Sequence, residues 1–558
     1  MTSQEPIKII VIGGGASGLS AATRARRINE HAEITVIDVN KFINYTMSVL
    51  PRYVAGIIKN KEEFMVGGET RISLIYNIKV MLKSEVTKIL PEEKKVIIKN
   101  IETQVVLEKN YDKLIIATGN KYLLPKSFNG ATNFFRLRNI DDAIEIREYI
   151  AKTSARNISI ITDNIMSVLL VDQFLASGFD VSIISESSRL VKEFDDEFNL
   201  LLIKEMESQG IKVYLNSQLK YIKNENNLVT KINIGDKVVN THLVIYLNNI
   251  KPNVDLAKDA GLILDEWISG IIVNEKMQTS NSDIFAIGSI AASFSVITKG
   301  RERIALNNPA QFQGRVAGTV AAGGLMNYTG ILGTKIVKFN NLYVGSTGID
   351  EEEASKSGFT PFSLTIFSGN SDRFVHGSKQ LHLKIIVDKI TRRVLGAFIA
   401  GKERGVDKKL DVLVTAIYSK LTIDDLINLN LSYIPDISTY KDPINLIGMI
   451  GANRLDDISD SVSLDDINKN GIDDYIILDI RNKNEYEQEK LSGAICIPLE
   501  ELRIRYNELS KDKKIYIYGK TGLRSYIAER ILKGLGYERV FNVDGGLSSM
   551  KLLSNIIR

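Results

Sequence analysis

Residues 7–12 (IKIIVI) are an almost unbroken apolar run that ends in Gly13-Gly14-Gly15. So short a run, closed by glycine, predicts a strand buried on both faces. The next stretch, LSAATRARRI (19–28), reads as a helix, and EITVID (33–38) as the following strand. Strand, helix, strand in this order predicts a parallel sheet. The pattern repeats at NISIITDN (157–164), continues through helical VLLVDQFLAS and returns in strand DVSII (180–184). Strand-rich sequence follows over 212–248. From 330 to about 452 the pattern is mixed, with strands TKIVKF and HLKIIV and a helix in DKKLDVLVTAIYSKL. The acidic stretch DDISDSVSLDD (456–466) reads as a hinge into a last α/β block, 461–558, carrying strands YIILDI, KIYIY and RVFNV and helix RSYIAERILKGLG. Four α/β or α+β units in one chain of 558 residues are expected.

Composition narrows the chemistry. Lys+Arg 71 against Asp+Glu 67 is too balanced for an overall polyanion binder, so no nucleic-acid partner is expected. Cys496 is the single cysteine, which excludes an intrachain disulfide, a CxxC pair and a cysteine-rich zinc site. His31, His242, His376 and His382 show no HxxxH or HExxH spacing, so no metal is expected. The start lacks the basic and long apolar regions of a signal peptide, and no stretch reaches the roughly 18 apolar residues of a membrane helix. The expectation is a cytoplasmic, soluble protein without a membrane partner.

Gly13-Gly14-Gly15-Ala16-Ser17-Gly18 fits GxGxxG between a strand and a helix. The first glycine permits the tight turn and the second lets a pyrophosphate approach the backbone. The third lets the helix pack on the strand, with its N-terminal amides facing the anion. Asp38 closes the second strand 20 residues beyond Gly18, where a carboxylate binds a ribose hydroxyl. In this context the motif points to a dinucleotide rather than to a bare glycine turn.

YDKLIIATG (111–119), with Thr118 and Gly119, and TSNSDIFAIGS (279–289), with Gly288 and Ser289, resemble the further FAD motifs of pyridine nucleotide-disulfide oxidoreductases over about 1–325. Residues 44–56 (NYTMSVLPRYVAG) resemble the redox loop S-F-x-N-C-G-L-P-Y-Y-x-G-G of coenzyme A-disulfide reductases. FRLRNIDDA (135–143), ILGTKIVKFNNLYVGSTGIDEEEA (331–354) and KDPINLIGMIGAN (441–453) resemble other parts of that subfamily. Residues 461–558, with LDIRNKNEYEQEKLSGAICIPLEEL and VDGG, resemble a rhodanese domain. The resemblance implies an α/β chain with two Rossmann-like domains, an α+β dimerisation domain and a C-terminal rhodanese-like domain. The implied boundaries are 1–120 and 251–325 for the two parts of the FAD-binding domain and 121–250 for an NAD(P)-binding-like domain. The dimerisation domain would span 326–455 and the rhodanese-like domain 461–558. It also implies a homodimer that binds FAD through Gly13, Gly15, Ala16, Ser17, Gly18, Asp38, Met47, Ser48, Thr118, Gly119, Gly288 and Ser289, and that meets coenzyme A or another small thiol or disulfide.

The residues depart from that family where its chemistry lies. Ser48 occupies the redox-cysteine position, and a hydroxyl can neither form a disulfide nor carry two electrons. In the rhodanese loop C-x-x-G-x-R-S, Gly519 stands at the sulfur carrier, although Gly522, Arg524 and Ser525 remain, which leaves the residues of an anion-binding nest without persulfide transfer. Cys496, within AICIPL, is expected to be a small buried hydrophobe. The family's G-x-G-x-x-G-x-E aligns with Thr162–Leu169, where Thr162, Asp163 and Asn164 oppose a pyrophosphate, so NAD(P)H is not expected in the usual mode; Ser185-Glu186 could contact a ribose or form an exposed turn. The Asp of the Gly-Asp motif is Ser289. The family's substrate tyrosines fall at Phe374-Val375 and Ile437, and the flanking Tyr433 and Tyr440 read as packing residues. Lys41, Arg52 and Lys59 read as surface charges. The leading expectation is an FAD-binding oxidoreductase of the NAD(P)H-dependent disulfide reductase type, with no intact catalytic cysteine and without cysteine-based disulfide reduction or sulfur transfer. The alternatives are a non-catalytic flavin-binding or partner-binding module, and an active coenzyme A-disulfide or polysulfide reductase or NADH oxidase.

Overall fold

A computed structural model describes residues 5–64, 68–125, 130–223, 227–372, 374–402, 405–462 and 475–553. The chain forms two compact units, Met1–Leu190 with Gly210–Gly333, and Val191–Gln209 with Thr334–Arg558.

The first unit holds two five-stranded parallel sheets. In one, the strand β1 (Lys8–Ile12) pairs with β2 (Glu33–Ile37) on one side and with Lys113–Ile116 on the other; Ile284–Ala286 and Lys79–Met81 form its edges. Ile9, Val11, Val36, Leu114, Ile115 and Ile116 are fully buried, as apolar runs in a sheet covered on both faces must be. The other sheet orders Lys212–Tyr214, Asp180–Ile184, Asn157–Ile161, Leu243–Tyr246 and Phe134–Arg136. In both, the first strand of the βαβ unit lies centrally, so a crevice opens at its carboxyl end where the connections diverge. The helix α1 (Ala16–Ile28) packs on the helix Asn307–Ala321. That seam requires glycine: a Cβ at Gly314 would lie 2.3 Å from the Ser17 carbonyl oxygen, and one at Gly318 2.2 Å from that of Ala21.

The second unit is built on an antiparallel sheet in the order Lys335–Phe339, Leu342–Gly348, Val394–Lys402, Gln380–Asp388, Pro361–Gly369. The helix Asp196–Ser208 belongs here and is fixed by polar pairs: Asp195 with Lys384 at 2.8 Å, Glu205 with Lys402 at 2.6 Å, and Glu197 Oε1 at 2.9 Å from His382 Nε2. A parallel sheet follows in the order Ser461–Val462, Val540–Val543, Lys514–Tyr518, Tyr475–Asp479, Ile495–Cys496.

Of the stretch 456–466, expected as the hinge into the last block, residues 456–462 are described and 463–466 lie outside the described residues. Glu529, fully buried on the helix Leu523–Gly534, accepts from Ser459 Oγ at 2.5 Å and from the Asp460 amide at 2.6 Å. Lys533 pairs with Asp460 at 2.7 Å. Residues 461–462 are already a strand. Asp456, Asp457 and Asp460 are exposed; Asp456 pairs with Arg392 at 2.8 Å, and of the three Asp460 alone reaches the helix Leu523–Gly534.

Candidate functional site

The carboxyl ends of three adjacent strands deliver three loops to one place. Gly13 leaves β1 with φ +106° and donates to Ile37 O at 2.8 Å; Ala117 donates to Ile12 O at 2.8 Å, and Ile287 to Ile116 O at 3.0 Å. A side chain on Gly13 would put Cβ 2.2 Å from Ala117 O, and one on Gly18 would lie 1.9 Å from Gly13 O. A Cβ on Gly15, by contrast, would meet nothing within 4 Å. Gly15 is the N-cap of α1 and no side chain caps the helix. Among the described residues no partner is recorded for the first-turn amides at Ala16, Ser17 and Gly18, which carry the positive end of the helix dipole. The residues around this opening fit a dinucleotide pyrophosphate.

Asp38 is 8% exposed at the end of β2. Its Oδ2 accepts from the Gly14 amide at 2.6 Å, and Oδ1 from the Asn40 amide at 2.7 Å and from Asn40 Nδ2 at 2.8 Å. Burial raises its pKa, opposed by these hydrogen bonds. A carboxylate offers about four acceptor sites, so one is left for a ribose hydroxyl. Gly288, φ +76°, opens the turn Gly288–Ile290; its amide donates to Gln313 Oε1 at 2.7 Å, and a Cβ there would lie 2.8 Å from Ser17 Oγ. Gly119, φ +67°, and Thr118, whose Oγ1 donates to Asn253 O at 2.6 Å, form the third loop. Thus Gly13–Gly18, Asp38, Thr118, Gly119, Gly288 and Ser289 lie on one set of neighbouring strand ends. Met47, half-buried, and Ser48, exposed, form the turn Met47–Val49 ahead of the helix Leu50–Val54; no hydrogen bond to the glycine loop is made by either among the described residues. The adjacent Tyr45 hydroxyl is pushed up to about 12, mainly by burial.

Sequence reasoning missed several residues. A cavity of about 490 Å³ is lined by Val39, Asn40, Lys41, Leu124, Phe134 and Arg136, among others, and Asn40 joins it to Asp38. Arg136 and Arg138 belong to the segment FRLRNIDDA, quoted above only for its resemblance; both flank the buried Asp142, with Arg138 Nε at 3.2 Å. Gln313 and Arg303 carry no local motif. Lys41, Arg52 and Lys59 are exposed, and Lys41 also lines the cavity.

The second βαβ unit has the same strands but a different loop. Asp163 donates its amide to Asn248 Oδ1 at 2.7 Å, Asn164 to Thr162 Oγ1 at 3.0 Å, Met166 to Asn164 Oδ1 at 2.9 Å and Ser167 to Asn164 O at 3.0 Å. The amides that would cradle a pyrophosphate are engaged by neighbouring groups. Ser185 is fully buried and its Oγ accepts from the Ser187 amide at 3.1 Å, with Glu186 exposed: the geometry of a self-bonded turn.

In the rhodanese-like block, Gly522 has φ +100° and Arg524 forms a two-pronged ion pair with Glu485, at 2.6 and 2.8 Å. Glu485 is held down to about 2, first by Arg524. The guanidinium expected to serve an anion is already paired. Cβ of a residue at 519 would lie 3.2 Å from Ile480 Cδ1. Cys496 is half-buried with its thiol pushed up by burial, which leaves little thiolate at neutral pH. Tyr433 and Tyr440, expected as packing residues, meet edge-to-face with ring centroids 6.2 Å apart although 48% and 80% exposed, and Asp372 accepts from the Tyr433 hydroxyl and from the Tyr440 amide at 3.1 Å. Among the described residues no group of His, Cys, Asp or Glu could hold a metal, and no helix is long and apolar enough to cross a membrane.

Residues 7–314 match the family model for pyridine nucleotide-disulphide oxidoreductase, 334–442 that for its dimerisation domain, and 463–552 that for a rhodanese-like domain. The fold is similar to reduced CoADR-RHD of Bacillus anthracis, with TM-score 0.93 and 32% identity over 99% of each chain. It is also similar to a NAD-dependent persulfide reductase from A. fulgidus, with TM-score 0.89 and 30% identity over 97% of this chain and 100% of the other. The NAD(P)H sulfur oxidoreductase (CoA-dependent) of Pyrococcus furiosus is 29% identical over 456 residues, 80% of this chain and 99% of the relative.

Proposed function

The chain belongs to the pyridine nucleotide-disulphide oxidoreductase family, in its coenzyme A-disulfide reductase–rhodanese branch, and from that premise we propose an FAD-binding oxidoreductase that works without a protein thiol. What supports the reading is the uncapped glycine turn beside Asp38, together with the resemblance by which Ser48 and Gly519 stand where cysteines are expected to handle sulfur. When bound, FAD supplies two-electron exchange between a donor and an acceptor. The first-turn amides of α1 would hold its pyrophosphate, Asp38 a ribose hydroxyl, and the cavity between Val39 and Arg136 its adenosine end. Gly288 leaves room beside Ser17 for the chain joining the two halves. Ser48 can donate or accept a hydrogen bond at the substrate side but cannot capture a thiol covalently. A small thiol or disulfide such as coenzyme A would therefore bind without forming a mixed disulfide, and the dimerisation domain supports a homodimer.

An absorbance spectrum of the purified protein, with added FAD if needed, tests the reading: flavin bands should appear, and no uptake would overturn it. Turnover of coenzyme A disulfide with NADH or NADPH would overturn the thiol-free part.

The filled 162–167 loop favours a second reading, a non-catalytic flavin-binding module that recruits a partner. Anaerobic NADH or NADPH titration separates the two. Slow or absent bleaching, together with a stable partner captured irrespective of flavin redox state, supports the module.

A further inference from the structure

Asp38 is the end of a hydrogen-bonded relay that reaches the other parallel sheet. Its Oδ1 accepts twice from Asn40, from the backbone amide at 2.7 Å and from Nδ2 at 2.8 Å, while Oδ2 accepts the Gly14 amide at 2.6 Å. Asn40 Oδ1 in turn accepts from Asn139 Nδ2 at 3.0 Å, across 99 positions of sequence. Asn139 follows the edge strand Phe134–Arg136 and is 7% exposed. It is the N-cap of the helix Ile140–Thr153, and its Oδ1 accepts the Asp142 amide at 2.9 Å. Asn40, Asn139 and Asp142 all line the cavity of about 490 Å³.

The polarity of this relay is fixed at its far end. A backbone amide only donates, so Asn139 must turn its oxygen to Asp142 and its NH2 group to Asn40. Asn40 must then meet Asn139 with its oxygen and Asp38 with its NH2 group. Either carboxamide alone could be turned over; linked in series, each has one orientation. Three of the roughly four acceptor sites of Asp38 are thereby filled, and the one left is on Oδ2. We infer that Asn40 and Asn139 are positioning residues for ribose recognition, holding Asp38 as an acceptor with its unfilled Oδ2 site presented to a hydroxyl of the dinucleotide. The inference rests on the dinucleotide reading of Gly13–Gly18 and Asp38. It makes the preference for a ribose hydroxyl depend on a side chain outside the first βαβ unit.

The test is a set of equilibrium titrations of the flavin-free full chain with FAD, with ADP and with dideoxy-ADP, which keeps the adenine and both phosphates but lacks the two ribose hydroxyls. The natural protein should prefer ADP over dideoxy-ADP about tenfold. Asn40→Ala removes the side-chain donor to Asp38, and the preference should fall to about twofold. Asn139→Asp keeps an oxygen for the Asp142 amide, so the helix stays capped, but it meets Asn40 with an acceptor and turns the relay round. Its preference should fall as far, while its Tm without ligand stays close to that of the natural protein. A residue that only supports the fold, or a new charge that repels phosphate, would weaken both nucleotides alike. An unchanged ratio in either folded variant would therefore overturn the inference. If Asn40→Ala does not fold, the ratio in Asn139→Asp decides. A natural protein that binds FAD and ADP without distinguishing dideoxy-ADP would overturn the inference and leave the proposed function standing. A ratio that collapses in the variants, with ADP bound but no uptake of FAD, would sustain the inference and remove the flavin reading. Binding of neither FAD nor ADP would remove both.

Discussion

The two βαβ units of the first compact unit are near-copies in their strands and opposites in their loops. β1 with β2, and Asn157–Ile161 with Asp180–Ile184, each pair in parallel through five consecutive positions. After the first strand of one, glycines turn the backbone away and leave α1 uncapped and open. After the first strand of the other, Asn164 spends its side-chain carbonyl and its backbone carbonyl on the amides of Met166 and Ser167. One scaffold therefore holds both an anion cradle and its filled counterpart. Capacity to bind resides in whether a few amides are left without partners, and the sheet beneath is indifferent to it.

The comparison breaks most readily at Gly18. Gly18→Val would place Cβ against the Gly13 carbonyl, so flavin uptake should be lost, with destabilisation of about 3 kcal/mol or more measured by denaturant unfolding. Asp38→Ala removes the acceptor of the Gly14 amide as well as the ribose partner; FAD affinity measured by flavin fluorescence should fall about tenfold to a hundredfold. Opening the second loop is the converse experiment. Thr162→Gly with Asn164→Gly frees the amides at 164 and 166, and anaerobic titration should then show faster bleaching of the flavin by NADH or NADPH than in the natural protein. No change would mean that Asp163, rather than the occupied amides, sets the barrier.

A third loop, 519–525, gives the smallest effect. The folded Glu485 carboxyl titrates near 2, below the roughly 4.3 of an unfolded glutamate, so its pairing with Arg524 stabilises the chain above that unfolded value and the benefit fades as pH falls towards 2. The Tm difference between the natural protein and Glu485→Gln should be constant above about pH 5 and shrink on acidification. A difference that grew in acid would mean that Arg524 is stabilised by another partner.

The central strands of the first unit's two parallel sheets were legible because a face buried on each side demands continuous apolar runs, as in IKIIVI and NISII. The glycine motif was legible because its geometry tolerates few other residues. What sequence could not show is contact across distance. Nothing local marks Gln313 as the acceptor of the Gly288 amide, or Arg303 as the brace of Ser289. Nor does the acidic stretch at 456–462 show locally that Ser459 and the Asp460 amide both meet the buried Glu529 some 70 residues on. At 162–167 the sequence showed only that glycine was absent; that the replacements hydrogen-bond the loop's own amides is a fact of conformation.

The glycine seam between α1 and the helix Asn307–Ala321 also sets an order of events during synthesis. The cradle begins within the first 20 residues, yet the helix that buttresses it and the turn at Gly288 are encoded almost 300 positions later. At about 5–20 residues per second, roughly 15–60 s separate emergence of the two helices from the ribosome. Through that interval α1 can pack on β1 and β2 but lacks the helix that fills its glycine seam, and the interposed second sheet can form before the first is closed. Flavin available early would meet the glycine loop and Asp38 but not the turn at Gly288, so only part of its seat exists until the whole first unit is made.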